Sequence, residues 1–121
     1  GNSSLNQNIN HFIASIDFSN KASTIINQNE HISTLEKESM EKMMSFIRQA
    51  LMEAKQVEIK MLNQTLDGFG DHFNDEFIKG LEILIDGYET NDSDKFLQGQ
   101  ILDDKWGTWY SKNIDRIKNG K

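Results

Sequence analysis

Residues 32–66, ISTLEKESMEKMMSFIRQALMEAKQVEIKMLNQTL, hold one helical rhythm without a proline or glycine. Ile32, Leu35, Ser39, Met43, Phe46, Ala50, Ala54, Val57 and Met61 follow steps of three and four, the spacing that stacks side chains on one face of an α-helix. A second row, Met40, Met44, Ile47, Leu51, Leu62 and Leu66, widens that face. One helix of this length would run roughly 50 Å at about 1.5 Å per residue. It cannot shield its own stripe, so other helices or a second molecule must cover it. The stretch predicts an all-α chain built around one long central helix. That helix starts either near Lys21 or near Ser33, where Ser33 and Glu36 have the spacing of a capping box.

Ahead of this stretch, Leu5, Ile9, Phe12, Ile13 and Ile16 form a short amphipathic helix that either Ser3 or Ser4 can cap. Asp17-Phe18-Ser19-Asn20 reads as a break before further turns through Ala22, Ile25 and Ile26, and the polar residues 27–31 as a second bend. Beyond it, Gly68-Phe69-Gly70 ends the long helix, since a glycine takes the left-handed conformation of a C-terminal cap. Asp71 and Asn74 then cap a third helix with Phe73, Phe77, Leu81, Leu84 and Tyr88 on one face and Ile78 and Ile85 beside them. Asn91-Asp92-Ser93-Asp94 makes the next turn, and a fourth helix carries Phe96, Leu97, Ile101, Leu102, Trp106, Trp109, Tyr110, Ile114 and Ile117. Short turns between amphipathic helices favour antiparallel neighbours. The expected architecture is a four-helix, mostly antiparallel bundle forming a single domain over residues 1–121, with loose ends at 1–4 and 119–121.

Composition narrows the function classes. The 121 residues include no proline and no cysteine, so long helices are unbroken and thiolate and disulfide chemistry are absent. The net charge of −6 is uneven: −1 over residues 1–66, −9 over 67–104 and +4 over 105–121. An acidic middle third repels phosphate backbones and anionic lipid, which argues against nucleic-acid or membrane-surface partners. The basic tail, with Lys112, Arg116, Lys118 and Lys121, suits the negative end of a helix dipole. No window approaches the roughly 20 apolar residues of a membrane-spanning helix. The chain opens on Gly1-Asn2-Ser3-Ser4 rather than methionine. The expectation is a segment removed ahead of Gly1, with an exported or membrane-anchored protein and a cytoplasmic one as open alternatives.

No catalytic constellation is recognisable, and no cofactor is implied. None of His11, His31 or His72 has a glutamate three residues before it, as ferritin-like di-iron sites require. His72 and Glu76 share a helix face and make half of a metal-ligand set, although a solvated helix start favours acids anyway. Asp92-Ser93-Asp94 begins like a calcium loop but has Phe96 and Leu97 where a ligand and a glycine belong. Gly68-Phe69-Gly70 lacks the preceding strand and third glycine of a dinucleotide fingerprint.

The local feature that stands out is Trp106-Gly107-Thr108-Trp109-Tyr110. Trp and Tyr combine large apolar area with a polar tip and suit partially wet sites. A glycine inside a helix costs about 1 kcal/mol against alanine, so Gly107, and Gly99 before it, invite a close approach by a backbone or ligand. Together with Tyr88 these residues predict a ligand or partner surface between the third and fourth helices, with one indole in the core and one at its edge. Core filling is the plainer reading. Methionines 40, 43, 44, 52 and 61 suit a core or a seam, with Met43 and Met44 pointing in different directions and one of them at the edge. Ile47 and Leu51 are read as the exposed edge of a self-associating stripe. The functional expectation is a non-enzymatic protein-interaction module, homodimeric through the long helix or bound to a protein partner. The alternatives are a small-ligand sensor or carrier and a metal-binding bundle.

Overall fold

The computed structural model describes residues 2–27 and 36–119. Among these residues every regular element is helical and none is a strand, so the chain is all-α. No helix among them is long and apolar enough to cross a membrane. The chain divides into two compact units, Gly1–Val57 and Glu58–Lys121.

In the first unit, α1 (Asn2–Asn27) packs along α2 (Lys37–Ala54). His11 meets Glu53 at 3.2 Å and Phe18 stacks on Phe46 at 6.5 Å, so the two helices run antiparallel. The break expected at Asp17-Phe18-Ser19-Asn20 does not occur. Phe18 is held against Phe46, and the Lys21 ammonium lies 5.3 and 5.8 Å from the two ring centres. These tertiary contacts outweigh the weak helix propensity of Ser19 and Asn20. The inward face of α1 also differs from the expected one. Asn8, Phe12, Ser15 and Ala22 are buried, while Leu5, Ile9 and Ile13 are exposed. The Ser15 hydroxyl donates to the Phe12 carbonyl at 2.6 Å, which removes the penalty of burying it.

The 35-residue central helix is likewise not formed. It is replaced by α2 and a separate α3 (Ile59–Thr65). Gln56 and Val57 donate to the carbonyls of Glu53 and Ala54, both at 3.1 Å, which tightens the end of α2 into i→i+3 bonds. Glu58 then turns extended, at φ −82° and ψ 110°. No proline or glycine marks the break. It falls between β-branched Val57 and Ile59, where helix propensity is weak, and the apolar pattern carries past it because Val57, Leu62 and Leu66 remain buried. At its other end α2 begins after an extended Glu36 that makes no side-chain cap. Ser33, the polar stretch after Asn27 and His31 lie outside the described residues. Met43 and Met44 are both fully buried, so neither lies at an edge. At the ends, α1 begins at Asn2 and the last helix runs to Asn119; residues 1, 120 and 121 lie outside the described residues.

The second unit is a helical hairpin with α3 at its base. Gly68 adopts φ +85°, and its carbonyl accepts from the His72 amide at 2.9 Å. A new helix therefore starts at Phe69, ahead of the expected caps Asp71 and Asn74. Its free amides are met by α3 instead, where Asn63 Oδ1 accepts from Gly70 N at 2.7 Å and Asp71 N at 3.2 Å. The helix proceeds as α4 (Phe69–His72), a π-helical segment (Phe73–Ile78) and α5 (Lys79–Glu89).

The π segment follows from the sequence. Phe69, Phe73, Phe77 and Leu81 are spaced by four, which on a 3.6-residue helix drifts by roughly 40° per step. Unwinding to i→i+5 bonds, as between Lys79 N and Asn74 O, lets all four stay buried.

At the end of α5, Asn91 takes φ 55° while Asp92 N donates to Gly87 O at 2.8 Å and Asn91 N to Tyr88 O at 3.3 Å. This is the bond pair of a Schellman cap with asparagine in the left-handed position. Asp92 then caps α6 (Ser93–Asn119) by accepting from Lys95 N at 3.0 Å. The Lys95 ammonium reaches back to Asp86 at 2.6 Å.

The two long arms approach backbone to backbone. A Cβ on Gly99 would lie 2.6 Å from Leu84 N and 2.7 Å from Gly80 O, and one on Gly87 would lie 2.5 Å from Phe96 N. At Gly107, by contrast, a Cβ would meet nothing. The expected role of Gly107 in a close approach therefore belongs to Gly80, Gly87 and Gly99. Gly99→Ala should destabilise the protein by about 1–3 kcal/mol through overpacking, whereas Gly107→Ala should stabilise it by up to about 1 kcal/mol through helix propensity. Urea unfolding of the two variants beside the parent checks both signs.

Candidate functional site

The hairpin sorts the side chains of α6 onto two faces. Trp106 points inward and is 4% exposed. Its indole lies 5.4 Å edge-on from Phe73, 5.8 Å from Phe77 and 6.3 Å stacked from Phe69. Trp109 and Tyr110 stack on it from the next turn at 5.8 and 5.1 Å. Burial pushes the Tyr110 phenol above its ordinary pKa.

Trp109 is half-buried and sits where this cluster meets solvent. One face of its indole is covered by the His72 ring, 4.5 Å away and 18° from parallel. His72 Nδ1 is 3.0 Å from Glu76 Oε1, one turn along the same helix. Through Nδ1 the carboxylate fixes the imidazole against the indole.

Beside these residues lies an open groove of about 510 Å³. His72 and Glu76 form one wall; Ile101, Asp104, Lys105, Thr108, Trp109 and Lys112 of α6 form the other. The α6 wall follows steps of three and four, so it is one continuous stripe along the helix. Leu97 extends its apolar end; it is 54% exposed and Ile101 51% exposed. The stripe carries two ammonium groups and one carboxylate around an aliphatic end and an aromatic middle. It offers apolar contact with charged edges.

Two features that the sequence separates are thus joined, since His72 and Glu76 meet Trp109 directly. Trp106 and Tyr110 belong to the same cluster. Tyr88 does not: it lies fifteen residues beyond Phe73, roughly 20 Å along the axis, at the turn end of the hairpin. Gly107 lies within the stripe's turn, where an added Cβ would meet nothing. Ile47, expected at an exposed seam, is 4% exposed and belongs to a core, with Leu51 half-buried. His72 and Glu76 have no third donor, and among the described residues no group of three or more His, Cys, Asp or Glu is placed to hold a metal ion.

Asp103 escaped the sequence reading altogether. It lies on the inner side of α6 against Gly80, where its Oδ1 is enclosed and accepts no hydrogen bond from any described residue. Burial, reinforced by the charge of Asp104, pushes its carboxyl up to about 8 from an ordinary 3.8. Nothing in the sequence marks it apart from the neighbouring Asp104. Only the register that sets Gly80 opposite Asp103 does so. The groove stripe, in contrast, could have been found by asking which α6 residues share a face once Trp106 is assigned inward.

No family model, curated protein or solved structure matches the chain. The site must therefore be read from its own geometry. Trp106→Ala should cost about 3–5 kcal/mol, the range for a buried aromatic. Trp109→Ala should cost at most about half as much, because part of its ring already faces solvent. Chemical denaturation of the two variants separates the structural indole from the surface one.

Proposed function

We propose that this chain is a non-enzymatic interaction module that binds a helical segment of a partner protein along the groove beside Trp109. The observation that carries this reading is the continuous accessible stripe on α6, from Leu97 and Ile101 to Thr108, Trp109 and Lys112. It spans sixteen residues, fifteen steps that cover roughly 22 Å at about 1.5 Å per residue. Small-molecule sites commonly enclose most of their ligand. An open groove running along a helix instead suits an amphipathic helix that lays an apolar ridge into it. In this reading Ile101 and Trp109 are the anchors, and Lys105, Lys112 and Asp104 set register through complementary charges. His72, clamped by Glu76, holds the indole upright. The binding surface is thereby assigned to α6 rather than to Ile47 and Leu51, and the partner is a different protein, with homodimerisation as the rival outcome.

A photo-crosslinking residue placed at Thr108 of the full chain, in its native host, should give one discrete adduct whose mass differs from twice that of the chain. Ile101→Glu, at an exposed position, should retain the helical circular-dichroism spectrum and abolish the adduct. An adduct of twice the chain mass would replace the partner with a second copy. An absent adduct, or one indifferent to Ile101→Glu, would overturn the proposal.

A further inference from the structure

The closest part of the α5–α6 contact contains a carboxyl group. Gly80 presents bare backbone to Asp103, and any Cβ there would collide with the carboxylate and also lie 3.0 Å from Gly99 O. Asp103 Oδ1 is thus shut into a seam of two glycine backbones, and none of the described donors reaches it. A neutral carboxyl tolerates such a place, because its hydroxyl can donate to a backbone carbonyl and no charge is desolvated. A carboxylate does not, since it needs donors or a counter-charge.

Among the described residues no group supplies a donor to Oδ1, and none supplies a counter-charge to the carboxyl. Asp104 on the same helix adds a like charge. Glu76 on the π segment and His72 at the end of α4 are bonded to each other at 3.0 Å. Lys79 and Glu82, which flank Gly80 on α5, are both exposed, as is Lys105 on α6. Among the described residues, the one charge that bears on Asp103 is the repulsive one of Asp104.

We propose that Asp103 is a proton-operated latch on the hairpin, closed while its carboxyl is neutral and released when it ionises and drives α5 and α6 apart at the Gly80–Gly99 level. Release also separates the groove walls, because His72 and Glu76 stand on the arm leading into α5, whereas the residues from Ile101 to Lys112 stand on α6. The latch depends on the hairpin alone and holds whatever occupies the groove. The folded protein binds this proton more tightly than the unfolded chain does. The stability it confers is therefore complete below about pH 4 and is lost as pH rises towards and through about 8.

Amide hydrogen exchange of the full chain tests the latch between pH 6 and pH 9.5, corrected for the intrinsic pH dependence of exchange. Protection around Gly80, Leu84, Gly99 and Asp103 should fall at least tenfold across pH 7–9. In Asp103→Asn, which keeps the shape and a donor but cannot ionise, protection should stay flat. A flat parent profile, or parallel losses in both proteins, overturns the proposal. Should Asp103→Asn not fold, the Asp103 carboxyl carbon is titrated by NMR in the parent protein. A midpoint at least two pH units above that of exposed aspartates supports the latch, and a midpoint beside theirs overturns it.

Discussion

The distance between α5 and α6 is set by backbone, not by side chains. Where Gly80 and Gly99 meet, the two helices approach so closely that a single methyl group would collide with main-chain atoms. Two glycines inside helices each cost about 1 kcal/mol in propensity. Their reward is dispersion contact between main chains, made possible by the absent side chains. The register that follows is fixed at the turn by Asn91 in the left-handed cap and Asp92 at the start of α6. It delivers Trp106 onto Phe69, Phe73 and Phe77, and it places Asp103 Oδ1 where no donor among the described residues reaches it. The same contact leaves the far side of α6 uncovered, and that side is the groove wall.

The π segment solves a second constraint. Four large side chains at a strict spacing of four cannot all face one partner from an ideal α-helix. The widened turn keeps Phe69, Phe73, Phe77 and Leu81 buried together. It also sets His72 one turn ahead of Glu76 at the lip of the cluster. The aromatic core and the groove are thus two sides of one arrangement: Trp106 faces the phenylalanines, and Trp109, three residues on, faces His72.

Local chemistry was legible in the sequence, and packing geometry was not. Helicity followed from apolar spacing and the absence of proline, and the turns at Gly68 and at Asn91-Asp92 followed from residues suited to positive φ or to capping. The break after Ala54 was hidden because no glycine or proline marks it and the apolar rhythm carries through it. The continuity of α1 past Asp17 was hidden for the converse reason, since Phe18 and Lys21 secure it only through Phe46 on another helix. Periodicity also set Leu5, Ile9 and Ile13 on the inner face with Phe12, whereas the structure buries small Ser15 and Ala22 instead. At the site, Trp109, His72 and Glu76 were visible as isolated residues. Their union depends on the hairpin register, as does the difference between Asp103 and Asp104.

Close backbone contact in the hairpin is therefore the claim on which the core, the buried carboxyl and the exposed stripe all rest. It is tested most directly by nuclear Overhauser spectroscopy on the 121-residue chain. Strong cross-peaks are expected from the Gly99 α-protons to the amide proton and the α-proton of Leu84, whose N and Cα lie 2.6 and 2.8 Å from the position a Gly99 Cβ would take. Absence of both, with these resonances assigned, would contradict it.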